Sequence, residues 1–205
     1  MAKILIAVLA SGRGSNFKAI AKAVKKGEID GEIKLLITNN PKAGAIKVAK
    51  RNKIPVEIVE KEKFQDREQL DLRIKEVLDS NKIDLVVLAG YMLLIKSKAL
   101  LDAYRNRIIN IHPALLPAFP GVDAQKQAFE AGVKISGLTI HFVDETLDYG
   151  PVIFQKAVDI SDCQSAEEVE KRILKQEHKY YKKIIDSFSK GKYLVEGKRV
   201  KYVKE

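Results

Sequence analysis

The sequence predicts an α/β protein with a Rossmann-like, doubly wound and mainly parallel sheet flanked by helices, closed by a long C-terminal helix and a terminal hairpin. Two observations carry the sheet. Short apolar runs alternate with longer helical patterns through the first two-thirds of the chain, as repeated strand–helix units do. The runs near Leu85 and Ile108 are almost continuously apolar, as parallel strands covered on both faces require. The late helix and hairpin rest on a third observation, an apolar stripe followed by two short strand patterns around Glu196-Gly197.

Taken in order, the strand candidates are residues 4–9, 33–38, 56–59, 85–88, 108–112 and 138–143. Between them lie helix candidates at 16–26, 44–52, 66–81, 97–104 and 123–131. The first carries Phe17, Ile20, Ala21 and Val24, an i, i+3, i+4, i+7 stripe that buries one face of a helix. Residues 165 to about 187 read as one long helix, and 193–195 with 198–203 as a hairpin. No internal repeat, low-complexity stretch or linker interrupts the pattern, so residues 1–205 are expected to form one domain.

The chain has 205 residues, with 46% hydrophobic and 31% charged, the balance of an ordinary globular protein. A single cysteine, Cys163, excludes an intramolecular disulfide and a thiolate metal cluster, and a reducing cytoplasm is the simplest compartment. The apolar start is too short to span a bilayer and lacks a small-residue cleavage site, so neither secretion nor membrane insertion is expected. The 37 Lys+Arg against 27 Asp+Glu give a net charge of +10. The lysines are scattered and no basic block interleaves with aromatics, so anionic small molecules are expected as partners, without nucleic acid or membrane.

The first strand runs into Ser11-Gly12-Arg13-Gly14-Ser15-Asn16 and then a helix. Backbone N–H groups at such a helix start favour a phosphate. The dinucleotide fingerprint fails because Phe17 stands where a third glycine is needed, and no Gly-Lys-Ser/Thr follows for a triphosphate loop. One phosphate on a small ligand is the reading; a capped tight turn is the plainer alternative.

The run Ile108-Ile109-Asn110-Ile111-His112-Pro113 is more informative. Side chains two apart on a strand share a face, so Asn110 and His112 point the same way. Pro113 ends the ladder and leaves His112 at the carboxyl edge, where open α/β sheets bind ligands. Asn can hold a developing oxyanion and His can carry a proton near neutral pH, which is what acyl-type transfer needs. A hydrogen-bonded core pair is the competing explanation. After the strand at 138–143 come Asp144, Glu145 and Asp148. That loop is expected at the same edge as His112, with Asp148 supporting an imidazolium. No Ser or Cys sits in a nucleophile context, and His112, His141 and His178 lack metal-ligand spacing, so metal-free direct transfer is expected. In the long helix Glu177 falls inside the apolar stripe of Val169, Ile173, Tyr180, Ile184 and Phe188. An unpaired carboxylate there would be costly, so Glu177 is either ion-paired with a lysine or a ligand residue.

Ser11 to Asn16, the run Asn110-Ile111-His112-Pro113-Ala114-Leu115-Leu116-Pro117 and the run Leu147-Asp148-Tyr149-Gly150-Pro151 together resemble the phosphoribosylglycinamide formyltransferase family over nearly the full length. The resemblance implies the formyltransferase fold and transfer of a formyl group from 10-formyltetrahydrofolate to glycinamide ribonucleotide in purine biosynthesis. It implies a catalytic trio of Asn110, His112 and Asp148, and a substrate phosphate held by Gly14, Ser15 and Asn16. By the same resemblance Glu177 serves the substrate's sugar and amine side, and Arg67 lies near the folate glutamate tail. It makes Met92, Leu93, Leu94 and Ile95, with the loop from Val143 through Asp144 to Asp148, the walls of the pterin pocket. Two departures are visible: Leu93 stands where many members carry a tail-binding arginine, and Ala114 replaces a commoner serine. Related hydrolases resemble this chain only after an additional N-terminal domain and tRNA formyltransferases carry an additional C-terminal one, neither of which is expected here, and neither relative is expected to show Gly-x-Gly-Ser-Asn at the first turn. A non-catalytic phosphate sensor would leave Asn110, His112 and Asp148 unexplained.

Overall fold

The computed structural model describes residues 3–204. Its strands are β1 (Ile4–Leu9), β2 (Gly31–Thr38), β3 (Val56–Ile58), β4 (Leu85–Leu88), β5 (Ile108–His112), β6 (Ile135–Phe142) and β7 (Val152–Asp159), with a hairpin of β8 (Gly191–Glu196) and β9 (Arg199–Lys204). The helices are α1 (Ser15–Lys25), α2 (Gly44–Arg51), α3 (Arg67–Ser80), α4 (Lys98–Ala103), α5 (Ala124–Glu130) and α6 (Ala166–Ser187). Among the described residues seven strands form one sheet in the order β3-β2-β1-β4-β5-β6-β7. The order reverses at β1, so the sheet is doubly wound. From β3 to β5 all pairs are parallel; β6 then runs antiparallel to β5, and β7 antiparallel to β6.

Strand β7 is absent from the sequence expectations, for a physical reason. It lies at the sheet edge with one partner and is half exposed, so Gln155, Lys156 and Asp159 break its apolar pattern. The reversal of β6 has a larger consequence. Val143 donates to the Ile108 carbonyl at 2.9 Å, and His112 pairs with Thr139. The loop after β6 therefore leaves at the amino end of β5, opposite the edge where the sequence reading placed it.

Two cores cover the sheet. Ile109, Ile111, Leu138 and Ile140 face α1, α2, α5 and α6. Ala7, Leu9, Val86, Leu88 and Ile108 face α3 and α4. Because Asn110 and His112 alternate with Ile109 and Ile111, they share the α3/α4 face with Ile108, beyond the reach of that helix layer. Three helices are capped by side chains: Asp66 accepts from Gln69 N–H on α3, Ser97 from Leu100 on α4 and Ser165 from Glu168 on α6. Helix α1 starts instead from Gly14, with φ 77° and no side-chain cap.

Helix α6 buries Val169, Ile173, Glu177, Tyr181 and Ile185, a strict i, i+4 row. Tyr180, Ile184 and Phe188 are only partly buried, so the row turns away from the stripe read in the sequence. Tyr181 Oη lies 2.8 Å from the Leu88 carbonyl and 3.1 Å from that of Ile109, tying α6 to β4 and β5. The β8–β9 hairpin stands on an aromatic cluster, with Tyr193 6.0 Å from Phe142 and 4.8 Å from Phe188 between ring centroids. Residues 171–204 hold twelve Lys and Arg against three Asp and Glu, so the stretch that follows the acidic first turn of α6 and runs through the hairpin is strongly basic. No helix among the described residues is long and apolar enough to cross a membrane.

Candidate active site

Asn110, His112 and Asp148 come together on the open part of the sheet face. Loop 143–151 is closed at its neck by the Phe142 N–H bond to the Pro151 carbonyl, at 2.9 Å. A Cβ at Gly150 would stand 1.7 Å from the Phe142 carbonyl oxygen, so only glycine fits there. From that neck the loop folds back across the sheet. Asp148, in the left-handed region at φ 51°, brings Oδ2 to 3.3 Å from His112 Nδ1 and to 2.8 Å from the Gly121 N–H. The two side chains are 4% and 6% exposed, so their interaction is little screened.

A further histidine joins them that sequence reasoning missed. His141 faces Asn110 across the antiparallel pair, with Nε2 3.2 Å from Asn110 Nδ2 and 3.7 Å from Asp148 Oδ1. Its Nδ1 lies 2.8 Å from the Phe142 carbonyl, which only accepts, so Nδ1 carries a proton and Nε2 is the atom that faces the Asn110 amide. That contact orients the amide. The second Asn110 N–H reaches Asp148 only at 3.5 Å and is the one free to turn to a ligand oxygen. The signal was present in the sequence: Thr139-x-His141 is a second polar pair two apart in an apolar strand. Thr139 Oγ1 donates to the Ala114 carbonyl and accepts from Leu116 N–H, and Gln155 on β7 bonds both Thr139 and Leu116. These contacts hold the segment after His112 against the sheet.

His112 donates from Nε2 to the Phe119 carbonyl at 2.8 Å. With Asp148 on the other side, both ring nitrogens face acceptors, an arrangement completed by a doubly protonated ring. Burial opposes the charge and is the larger effect, holding the His112 pKa below its ordinary value although Asp148 and the Phe119 carbonyl pull it upward. Asp148 thus supports the imidazolium without overcoming burial, and the proton is guided by two acceptors and readily given up. For Asp148, burial alone would raise the carboxyl, but His141, the Gly121 N–H and His112 together bring it below the usual range. The group can stabilise a developing oxyanion and donate a proton beside it.

The glycine loop sits at the carboxyl end of β1, at the same sheet edge as His112. Gly14 takes φ 77°, and a Cβ there would come 2.8 Å from Ala45 Cα, so the glycine lets α1 and α2 approach. Ser15 and Asn16 begin the uncapped helix. Asn16 Nδ2 donates to Glu177 Oε2 at 2.8 Å, and Asn16 Oδ1 is buried without a partner. No lysine pairs with Glu177 among the described residues; burial pushes its carboxyl up to about 7, offset in part by Asn16. Arg13, in the same turn, reaches Glu170 of α6.

Arg67 forms a third group. Its Nη2 is 2.9 Å from Asp71 Oδ1, while the other Asp71 oxygen accepts from the Lys96 and Ser97 N–H groups at 2.7 and 3.0 Å. Arg67 Nε and both Nη atoms, with the Tyr91 hydroxyl beside them, are buried without well-aligned acceptors. Burial pushes that hydroxyl up to about 12. Such unspent donors suit an anion. Met92 is 63% exposed and its N–H donates to Ser11 Oγ at 2.9 Å, joining this segment to the glycine loop. Leu93 and Val143 pack on the second core, Leu94 is partly buried, Asp144 is partly buried, and Ile95 is 2% exposed, a core residue that can offer a ligand only its backbone. No hydrogen bond among the described residues joins Asn16, Arg67 and His112 to one another.

The family described as formyl transferase matches residues 4–185. Phosphoribosylglycinamide formyltransferase of Bacillus subtilis is 46% identical over 179 residues, 87% of this chain and 91% of that one. The enzyme of that name from Haemophilus influenzae is 37% identical over 187 residues, 91% and 88% of the two chains. The crystal structure of glycinamide ribonucleotide transformylase 1 from Symbiobacterium toebii superposes with a TM-score of 0.94 at 40% identity, covering 98% of this chain and 95% of that one.

Proposed function

The chain belongs to the formyl transferase family, and from that premise we infer that it moves a formyl group from 10-formyltetrahydrofolate to the amine of glycinamide ribonucleotide, a step in purine biosynthesis. The observation that carries this reading is the cluster of Asn110, His112, His141 and Asp148 on one face of β5–β6, at the edge that also carries the glycine loop.

In this reading the ribonucleotide phosphate rests on the first-turn N–H groups of α1 at Gly14, Ser15 and Asn16, and Glu177 takes the sugar and amine side. The donor's pterin enters between Met92–Ile95 and loop 143–148, and Arg67 meets its glutamate tail. Leu93 offers that tail no cation, which leaves the contact to donors such as those of Arg67. The substrate amine attacks the formyl carbon, and the carbonyl electrons move to oxygen. The free Asn110 N–H and the His112 proton receive that oxyanion, while Asp148 balances the imidazolium. As the tetrahedral intermediate collapses, the bond from carbon to the folate nitrogen breaks, that nitrogen takes a proton, and the amine's surplus proton leaves. Binding both reactants at one edge replaces a bimolecular encounter. Water has no phosphate handle and gains nothing comparable.

The test follows tetrahydrofolate release from 10-formyltetrahydrofolate with and without glycinamide ribonucleotide. Release should depend on the ribonucleotide and match its formylated product one to one. Equal release without ribonucleotide would replace the transferase with a hydrolase.

A further inference from the structure

Lys198 forms the tip of the β8–β9 hairpin together with Gly197. It lies about fifty positions beyond Asp148 in the chain, yet each of its contacts falls on the loop that carries Asp148. Its Nζ donates to the Tyr149 carbonyl at 2.5 Å and reaches Asp144 Oδ2 at 3.2 Å. It also sits 3.9 Å above the centroid of the Tyr149 ring. One cation thus holds the start of the loop and the residue that follows Asp148. The platform behind it is fixed, because Tyr193 of β8 stacks edge-on against Phe142, where the loop begins.

These contacts do little for folding. The Lys198 side chain is 53% exposed and Asp144 32%, and pairs so exposed contribute almost nothing measurable to stability. What they restrain is local. Asp148 holds a left-handed backbone at φ 51°, and its peptide bond to Tyr149 precedes the carbonyl that Lys198 grips. Apart from its neck, loop 143–151 is held to the rest of the protein mainly through the Asp148 carboxylate itself, at the Gly121 N–H and His112, while Leu147 and Tyr149 are 52% and 59% exposed.

We propose that Lys198 is a positioning residue for the transfer reaction: from the hairpin tip it fixes loop 144–149 so that Asp148 meets His112 and the loop presents a formed wall to the pterin. This rests on the functional reading above. The predicted consequence is selective. A loosened loop weakens the formyl donor and the chemistry, whereas the ribonucleotide phosphate, held across the sheet at α1, is untouched.

Lys198→Met and Lys198→Arg test it against the parent in two independent measurements. Hydrogen exchange needs no ligand: in Lys198→Met the amides of residues 144–150 should exchange roughly tenfold faster than in the parent, with the sheet amides unchanged and Lys198→Arg close to the parent. In steady-state kinetics Lys198→Met should lose roughly tenfold in kcat and raise the donor KM several-fold, leaving the ribonucleotide KM within twofold. Its imidazole pH limb should move to lower pH, since His112 loses part of the Asp148 pull. Unchanged loop exchange, or a melting temperature that falls with both KM values rising alike, would overturn the proposal. Faster loop exchange in Lys198→Met, beside a parent that shows no ribonucleotide-dependent transfer, would overturn the functional reading and with it Lys198 as a positioning residue of that reaction, while leaving its hold on the loop established.

Discussion

His112 is pulled two ways, by burial that disfavours its charge and by Asp148 that favours it. Proton transfer by a placed side chain is worth about 10²–10⁴-fold, so His112→Ala should lose roughly that much kcat with both ligands still bound, as kcat and binding measurements would show. Asp148→Asn leaves burial opposed only by the Phe119 carbonyl, and the imidazole limb of the pH–rate profile should move to lower pH. Glu177 presents the opposite sign problem. An acid whose folded pKa is raised to about 7 holds its proton better folded than unfolded, so this contribution is present in acid and lost as pH rises through about 7. Glu177→Gln should then unfold at higher denaturant than the parent at pH 8, by about 1–3 kcal/mol, with little difference at pH 5. Ribonucleotide affinity by calorimetry should fall in the same variant. An unchanged affinity would return Glu177 to a purely structural place.

At the scale of elements, the two glycines of the first turn answer differently to substitution. Gly14 needs its positive φ and has Ala45 2.8 Å from where a Cβ would stand, while a Cβ at Gly12 meets nothing within 4 Å. Gly14→Ala should therefore lower stability by about 1–3 kcal/mol without any ligand. Gly12→Ala should fold normally and raise the ribonucleotide KM more than the donor KM, and it is the cleaner probe of the phosphate cradle. The elements around this turn were legible in the sequence because apolar period, caps and turn residues agree, as in Phe17, Ile20 and Ala21 of α1 or the Ser165 cap of α6. The Asn110/His112 pair was legible for a similar reason: two polar side chains on one face of an isoleucine strand must be explained. His141 escaped because its strand had no assigned direction. Only in an antiparallel register does it face Asn110, and pairing direction is carried by no local residue pattern. Strand β7 escaped because an edge strand has no need of continuous apolar residues.

For the molecule as a whole, the reversal of β6 brings the Asp148 carboxylate over the sheet from the far edge, while the glycine turn, the Tyr91–Ile95 segment and His112 stay at the near one. The sequence pointed to a shared edge; the structure brings Asn110, His112 and Asp148 together by another route. The uneven charge is a second whole-molecule property, since residues 171–204 hold twelve Lys and Arg against three Asp and Glu. Both reactants of the proposed transfer are anionic, so kcat/KM for the ribonucleotide should fall several-fold between about 20 and 200 mM salt while kcat changes little, steering being screened over a Debye length of roughly 7–20 Å in that range. Flat kcat/KM over that range would show that the basic surface plays no part in capture.

That surface also gives the molecule a permanent dipole directed toward its last two elements. In free tumbling the dipole averages away, but near any extended negative surface it acts as a torque, and the protein arrives with α6 and the hairpin first. On a cation-exchange resin, or among crowded polyanions, one orientation will dominate over all others. The face turned outward in that orientation is the opposite one, with α3, α4 and the Arg67 group.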